Sequence, residues 1–170
     1  MKTLLSFFVF ALIFANLSYS QEIQLPPAID NEYFTLSVGE WVSDEYEFMG
    51  MKWTDVTTAN WILNNQFLEM KSVSTSDNGF MYEAVSYMTV DNEGNLKAWM
   101  FDLFGIQNVS EYTGKTDGNT CTMEGGNEYM KSTGTVSIED NVTTQKMTFT
   151  YPDKEGNTVT QEMTIISRKK

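Results

Sequence analysis

From Gly39 onward the chain runs in short segments in which apolar and polar residues alternate with period two, the pattern of strands whose two faces meet different surroundings. Phe80, Tyr82, Ala84, Ser86 and Met88 share one face, as do Met147, Phe149 and Tyr151, with Lys146, Thr148 and Thr150 opposite. These segments are rich in Thr, Val, Tyr, Phe and Trp, which suit a pleated surface. Between them stand turn-forming clusters: Asp77-Asn78-Gly79, residues 91–95 with Gly94, Asp117-Gly118-Asn119, Gly125-Gly126-Asn127, Glu139-Asp140-Asn141 and residues 152–157 with Gly156. The spacing predicts strands at 40–48, 52–63, 67–74, 80–90, 96–102, 106–114, 120–124, 132–139, 143–151 and 158–168. No segment is long enough for a crossover helix, so the sheet is expected to be antiparallel and to pair nearest neighbours. A flat sheet of about ten such strands would expose its edges, and closing it removes them. The fold class expected is therefore all-β, a single antiparallel up-and-down β-barrel. One segment breaks the period: Ile29, Tyr33 and Leu36 fall at helical spacing with Asp30 or Asn31 able to cap, which predicts one short N-terminal helix.

Ahead of that helix, Lys2, an apolar stretch over 4–17 and Ser18-Tyr19-Ser20 follow the pattern of a secretory leader cleaved after Ser20. The stretch is short for a membrane span, and no second one follows, so stable membrane insertion is not expected. Residues 21–28 form a polar lead containing prolines, and 29–170 make one domain. Removing 1–20 from the 170 residues leaves a length suited to one core. An exported protein, periplasmic or extracellular, is the expectation. The leader carries one lysine and no acid, so its loss takes the net charge of −12 to −13. Such a surface repels nucleic acid, which is bound by clustered Lys and Arg. There is no histidine, which excludes a Ser-His-Asp triad, a Cys-His pair, His-bound haem and the usual zinc sites. Cys121 stands alone, without a disulfide partner in the chain.

Gly39 and Trp41 open the first strand, and Arg168, the single arginine, ends the last. In a closed up-and-down barrel these strands are neighbours, so the guanidinium can stack on the indole and close one end, a structural role. Candidate ligand contacts are Trp53, Trp61, Tyr82, Met88, Trp99, Phe101, Asp102 and Tyr112 on predicted strands. Trp53 and Trp61 share one face, as do Trp99 and Phe101, but periodicity does not say which face is interior. The same aromatic residues would equally fill a solid barrel. Asp102, Glu45, Glu47, Asp55 and Glu83 are candidates for interior carboxylates, whose pKa burial would raise. The ordinary alternative is a solvent-facing position, or turn capping for Asp102. Methionines are numerous but form no close cluster of the M-x-x-M-x-x-M kind, so they read as adaptable filling and no metal site is expected. Cys121 reads as a small buried hydrophobe. The sequons at Asn108 and Asn141 are patterns that arise easily by chance.

The Gly-x-Trp first strand and the C-terminal basic residue resemble the calycins, the lipocalin and fatty-acid-binding-protein superfamily. Residues 29–169 are similar to the DUF1579 family of bacterial lipocalin-like domains, through residues 36–41, Trp99-Met100-Phe101-Asp102 followed by Gly105, and the final hairpin over 163–169. That resemblance implies a lipocalin-like barrel and no established biochemical activity. A more distant likeness is to nitrobindin-type haem barrels, which hold iron through a histidine that this chain lacks. The function expected is an exported module that holds a small apolar or aromatic molecule, without a cofactor. Its rivals are an enzyme using interior carboxylates and tyrosines as acid–base groups, and a filled-core interaction module. An interior carboxylate bonded to a tyrosine at a cavity marks the first rival, and a missing cavity the second.

Overall fold

The computed structural model describes residues 24–170, so the leader expected at 1–20 lies outside the described residues. After the extended lead comes a helix α1 (Glu32–Ser37), then strands β1 (Gly39–Ser43), β2 (Tyr46–Phe48), β3 (Met51–Ile62), β4 (Phe67–Ser76), β5 (Met81–Val90) and β6 (Asn95–Asp102). A single 3-10 turn (Gly105–Asn108) follows, then β7 (Ser110–Asp117), β8 (Thr120–Gly126), β9 (Lys131–Glu139), β10 (Val142–Pro152) and β11 (Thr158–Lys169). Each strand from β3 to β11 pairs antiparallel with the next, and β1 pairs with both β11 and β3, closing a ring of ten with β2 outside it. The expected fold class is the observed one. The segment at 106–109, expected to begin a strand, instead carries the 3-10 turn.

The expected first strand, 40–48, is divided. Trp41 faces Thr57, while Tyr46 faces Trp53, so one extra residue is accommodated around 44–45 as a bulge. There the Ser43 Oγ accepts from the Asp55 backbone N–H at 2.7 Å, taking over a ladder bond. Beyond the last β1–β11 backbone bond, Asp44 N to Ile166 O at 2.7 Å, β2 pairs only with β3. The gap to β11 is spanned by side chains. Gln161 accepts from Met49 N at 3.3 Å and from Tyr151 Oη at 2.9 Å, and donates to Glu47 O at 3.4 Å. Phe48 packs beside Phe149 with ring centres 4.9 Å apart.

One end of the barrel is plugged. Asn31 caps α1 by accepting from Phe34 N at 3.0 Å and ties it to β7 through Thr116 Oγ1 at 2.9 Å. The fully buried Phe34 and Tyr33 of α1 join Trp41, Ala59, Leu68, Met88, Val90, Leu96, Cys121, Val136 and Ile138 in one core at this end. Burial of such side chains contributes about 1.5–3 kcal/mol each. Trp41 Nε1 donates to Ser37 O at 2.7 Å, locking the strand start to the helix end. The cation over the Trp41 ring is Lys169, with Nζ 5.3 Å from the ring centre, and not Arg168. The register explains the correction: Trp41 lies opposite Lys169, whereas Arg168 lies opposite Val42 and turns outward to Asp44 at 3.1 Å. Gly39 accommodates that arrangement, since a Cβ there would meet the Lys169 Cε at 2.6 Å, and its φ of 131° is one that side-chain-bearing residues avoid.

Candidate functional site

Strand alternation fixes the inner face. Buried Trp41 on β1, Trp53 and Ala59 on β3, Leu68 on β4, Met88 and Val90 on β5, and Leu96 and Ala98 on β6 all point inward, so residues of the same parity on each strand do as well. The core fills only the end beneath α1. Above it the barrel encloses a cavity of about 570 Å³, within the range of small-molecule sites. Aromatic and thioether side chains dominate its wall: Tyr46, Phe48, Trp53, Phe80, Tyr82, Phe104, Tyr112 and Phe149, with Met51, Met70, Met88, Met100, Met123, Met147 and Met163. Hydroxyls punctuate it at Thr57, Ser72, Ser74, Ser86, Ser132, Thr143 and Ser167. Thr143 Oγ1 is buried without a hydrogen-bond partner. Gly134 makes room for the methionines, because a Cβ there would come within 2.2 Å of Met147 Sδ. At the cavity end the interior is lined by these side chains and not filled by them.

The cavity opens away from α1. Met49, Phe80 and Phe104 belong to its wall and are nonetheless 47%, 45% and 60% exposed, so this rim is in contact with solvent. Met81, Leu103, Ile106 and Tyr129 extend the exposed apolar surface around the same mouth.

Two tyrosine–carboxylate pairs stand on the inner face. Tyr46 Oη donates to Asp55, 2.9 and 3.0 Å from its two oxygens. Burial pushes the Asp55 carboxyl above its usual range, while hydrogen bonds from Ser74 and Tyr46 pull the other way. Nearer the mouth, Tyr82 Oη donates to Asp102 at 2.7 Å. Asp102 also accepts from Phe104 N at 2.9 Å and from Asn108 Nδ2, which pins the loop carrying the 3-10 turn. Asn127 continues this network by donating to Asn108 at 2.9 Å and Ser110 at 3.0 Å. Both phenols are pushed well above the ordinary tyrosine value, first by burial and then by the neighbouring carboxylate, so they remain protonated donors. Burial pushes the Cys121 thiol up to about 12 in the plugged end, where it is an inert part of the core.

Of the residues singled out from sequence, the structure brings Trp53, Tyr82, Met88 and Tyr112 together on the cavity wall. Asp102 shares the inner face but sits behind Tyr82 and Asn108. Trp61 is on the inner face too, but eight residues of strand separate it from Trp53, roughly 26 Å. It packs on Phe34 in the plug, with ring centres 5.6 Å apart. Phe101 faces outward, 44% exposed and beside Tyr87. Trp99, between Ala98 and Met100, contributes to the wall, yet its ring lies on the outer side under Lys97 Nζ, 5.1 Å from its centre. Adjacent strand residues cannot both point inward, so with Asp102 inside Phe101 must face out. Glu45, Glu47 and Glu83 are solvent-facing, and Glu45 pairs with Lys52 at 2.7 Å. Sequence reasoning placed neither Tyr46 nor Phe48 in the site. Asp55 shares the parity of Trp53 on β3, and that is the signal that places it inside. Among the described residues, no group of three His, Cys, Asp or Glu side chains gathers in a metal-binding arrangement, and no helix is long and apolar enough to cross a membrane.

No family model matches this chain, and no curated protein does. Among solved structures the chain is similar in fold, at 10% sequence identity and a TM-score of 0.64 over 86% of this chain and 99% of the other, to Rv2717c from M. tuberculosis.

Proposed function

We propose that this protein is an exported binding module whose barrel holds one small, largely apolar molecule. The observation that carries the reading is the cavity of about 570 Å³, plugged at one end by α1 and open at the other, with a wall of aromatic and methionine side chains. Apolar walls with a few placed polar groups suit recognition of an oily or flat ligand, and methionine adapts to its shape. Export to the periplasm or the exterior, and kinship with the DUF1579 domains, belong to this proposal and rest on the leader pattern and the Gly39-to-Trp41 motif.

Native mass spectrometry of the mature protein, purified gently after export, tests the reading. A reproducible small-molecule adduct is expected, and it should disappear when Ser86→Phe fills the cavity while the melting temperature is kept. A persistently bare mass, after exposure to extract from the exporting cells, contradicts it. The second reading, an acid–base enzyme, is favoured specifically by Asp55, an interior carboxylate with a raised pKa in contact with a tyrosine. Under that reading the bound molecule leaves chemically changed, which the same spectra follow over time.

A further inference from the structure

The charge of the ligand is also legible, given the binding reading above. Among the described residues that line the cavity, Asp55 is the one that carries a formal charge, and none is a lysine or an arginine. On the outside, four acids have cationic neighbours, Glu45 with Lys52, Glu69 with Lys71, Asp44 with Arg168 and Glu40 with Lys170, and the others are left to solvent. Asp55 has only neutral donors, the hydroxyls of Tyr46 and Ser74. Asp102 differs, because Tyr82, Asn108 and a backbone N–H occupy it and it sits behind the wall.

We propose that the cavity selects an apolar molecule bearing a protonated amine, with Asp55 as its counter-ion, and discriminates against the carboxylate of the same shape. A carboxylate withdrawn from water with no cation beside it is costly, and an ammonium brought by the ligand offsets that cost. The rings of Tyr46 and Trp53, paired across β2 and β3 next to Asp55, offer faces on which a cation is further stabilised. A ligand carboxylate would instead meet Asp55 at close quarters, where like charges repel strongly and no basic side chain compensates.

The test uses three probes of one shape, decylamine, decanol and decanoate, titrated calorimetrically at pH 7.5 below their micelle concentrations. The amine is expected to bind at least about tenfold more tightly than the alcohol, a difference of ~1.4 kcal/mol, and the acid more weakly than the alcohol. Asp55→Asn should erase the amine's advantage over the alcohol. Asp55→Ser serves the same purpose if the first variant melts early. Amine preference that survives both variants belongs to the acidic surface and overturns the proposal, as does a decanoate affinity equal to the amine's. Alcohol binding without amine preference overturns it while leaving the binding module intact. Failure of all three probes to bind removes both.

Discussion

Asp55 shows how one residue is held at a cost to the fold. Its pKa is raised above the unfolded value, so the folded state takes up a proton more readily than the unfolded chain. The stability linked to this group is therefore present at low pH and is lost as pH rises through the folded-state pKa. Above that pKa the ionised, half-buried carboxylate weakens the fold. Asp55→Asn retains an acceptor for Tyr46 without the charge, and should raise the melting temperature at pH 7.5 by about 2–4 °C, corresponding to ~1 kcal/mol. The gap should close as the pH is lowered into the carboxylate range. Thermal melts of the two proteins from pH 3 to pH 8 check the sign, and a variant less stable at neutral pH would show that the charge is compensated. Cys121 offers a second check at this scale. Its buried thiol, raised to about 12, should resist a thiol reagent in the native protein and react fully in denaturant. Fast native labelling would mean that the plugged end opens.

Among the elements, β2 is the one held least by backbone. It pairs with β3 alone, while Gln161 joins it to β11 and the Phe48–Phe149 contact joins it to β10. Gln161→Ala should leave the melting temperature within about 1 °C, since partly exposed side-chain bonds contribute little. Amide exchange should nonetheless quicken at 46–51 relative to β3–β10, because local opening there no longer breaks the bridge. Unchanged exchange would show that the ring contact carries the seam. The same region marks the limit of sequence reading. Period-two alternation and turn chemistry made the strands of the closed ring legible, because both arise from local backbone preference. The bulge at 44–45 was not legible, since it is set by Ser43 replacing a ladder bond between the neighbouring strands β1 and β3. Nor was Lys169 over Trp41, which depends on a one-residue register between strands far apart in sequence.

For the molecule as a whole, closure explains why an acidic chain without disulfides or histidine can be built around an interior space. Closing the ring leaves nearly every strand with two partners, and the plug beneath it concentrates Phe34, Trp41, Leu68 and Ile138 at one end. The other half of the interior is then free to be lined without being filled. The existence of that space was not legible in the sequence, because the same aromatic and methionine residues suit a packed core and a cavity wall alike. A single buried position per strand fixes its faces, with Trp99 and Phe101 outward and Asp55 inward. The central claim is that the open half of the barrel binds. Titration with the neutral fluorophore N-phenyl-1-naphthylamine, compared between the native protein and Ser86→Phe, tests it most directly. The account predicts saturable fluorescence enhancement with one site per chain, lost in the filled variant while both proteins melt alike. Enhancement that never saturates, or that survives filling of the cavity, would place the dye on the exposed rim of Phe80, Phe104 and Ile106 and contradict the claim.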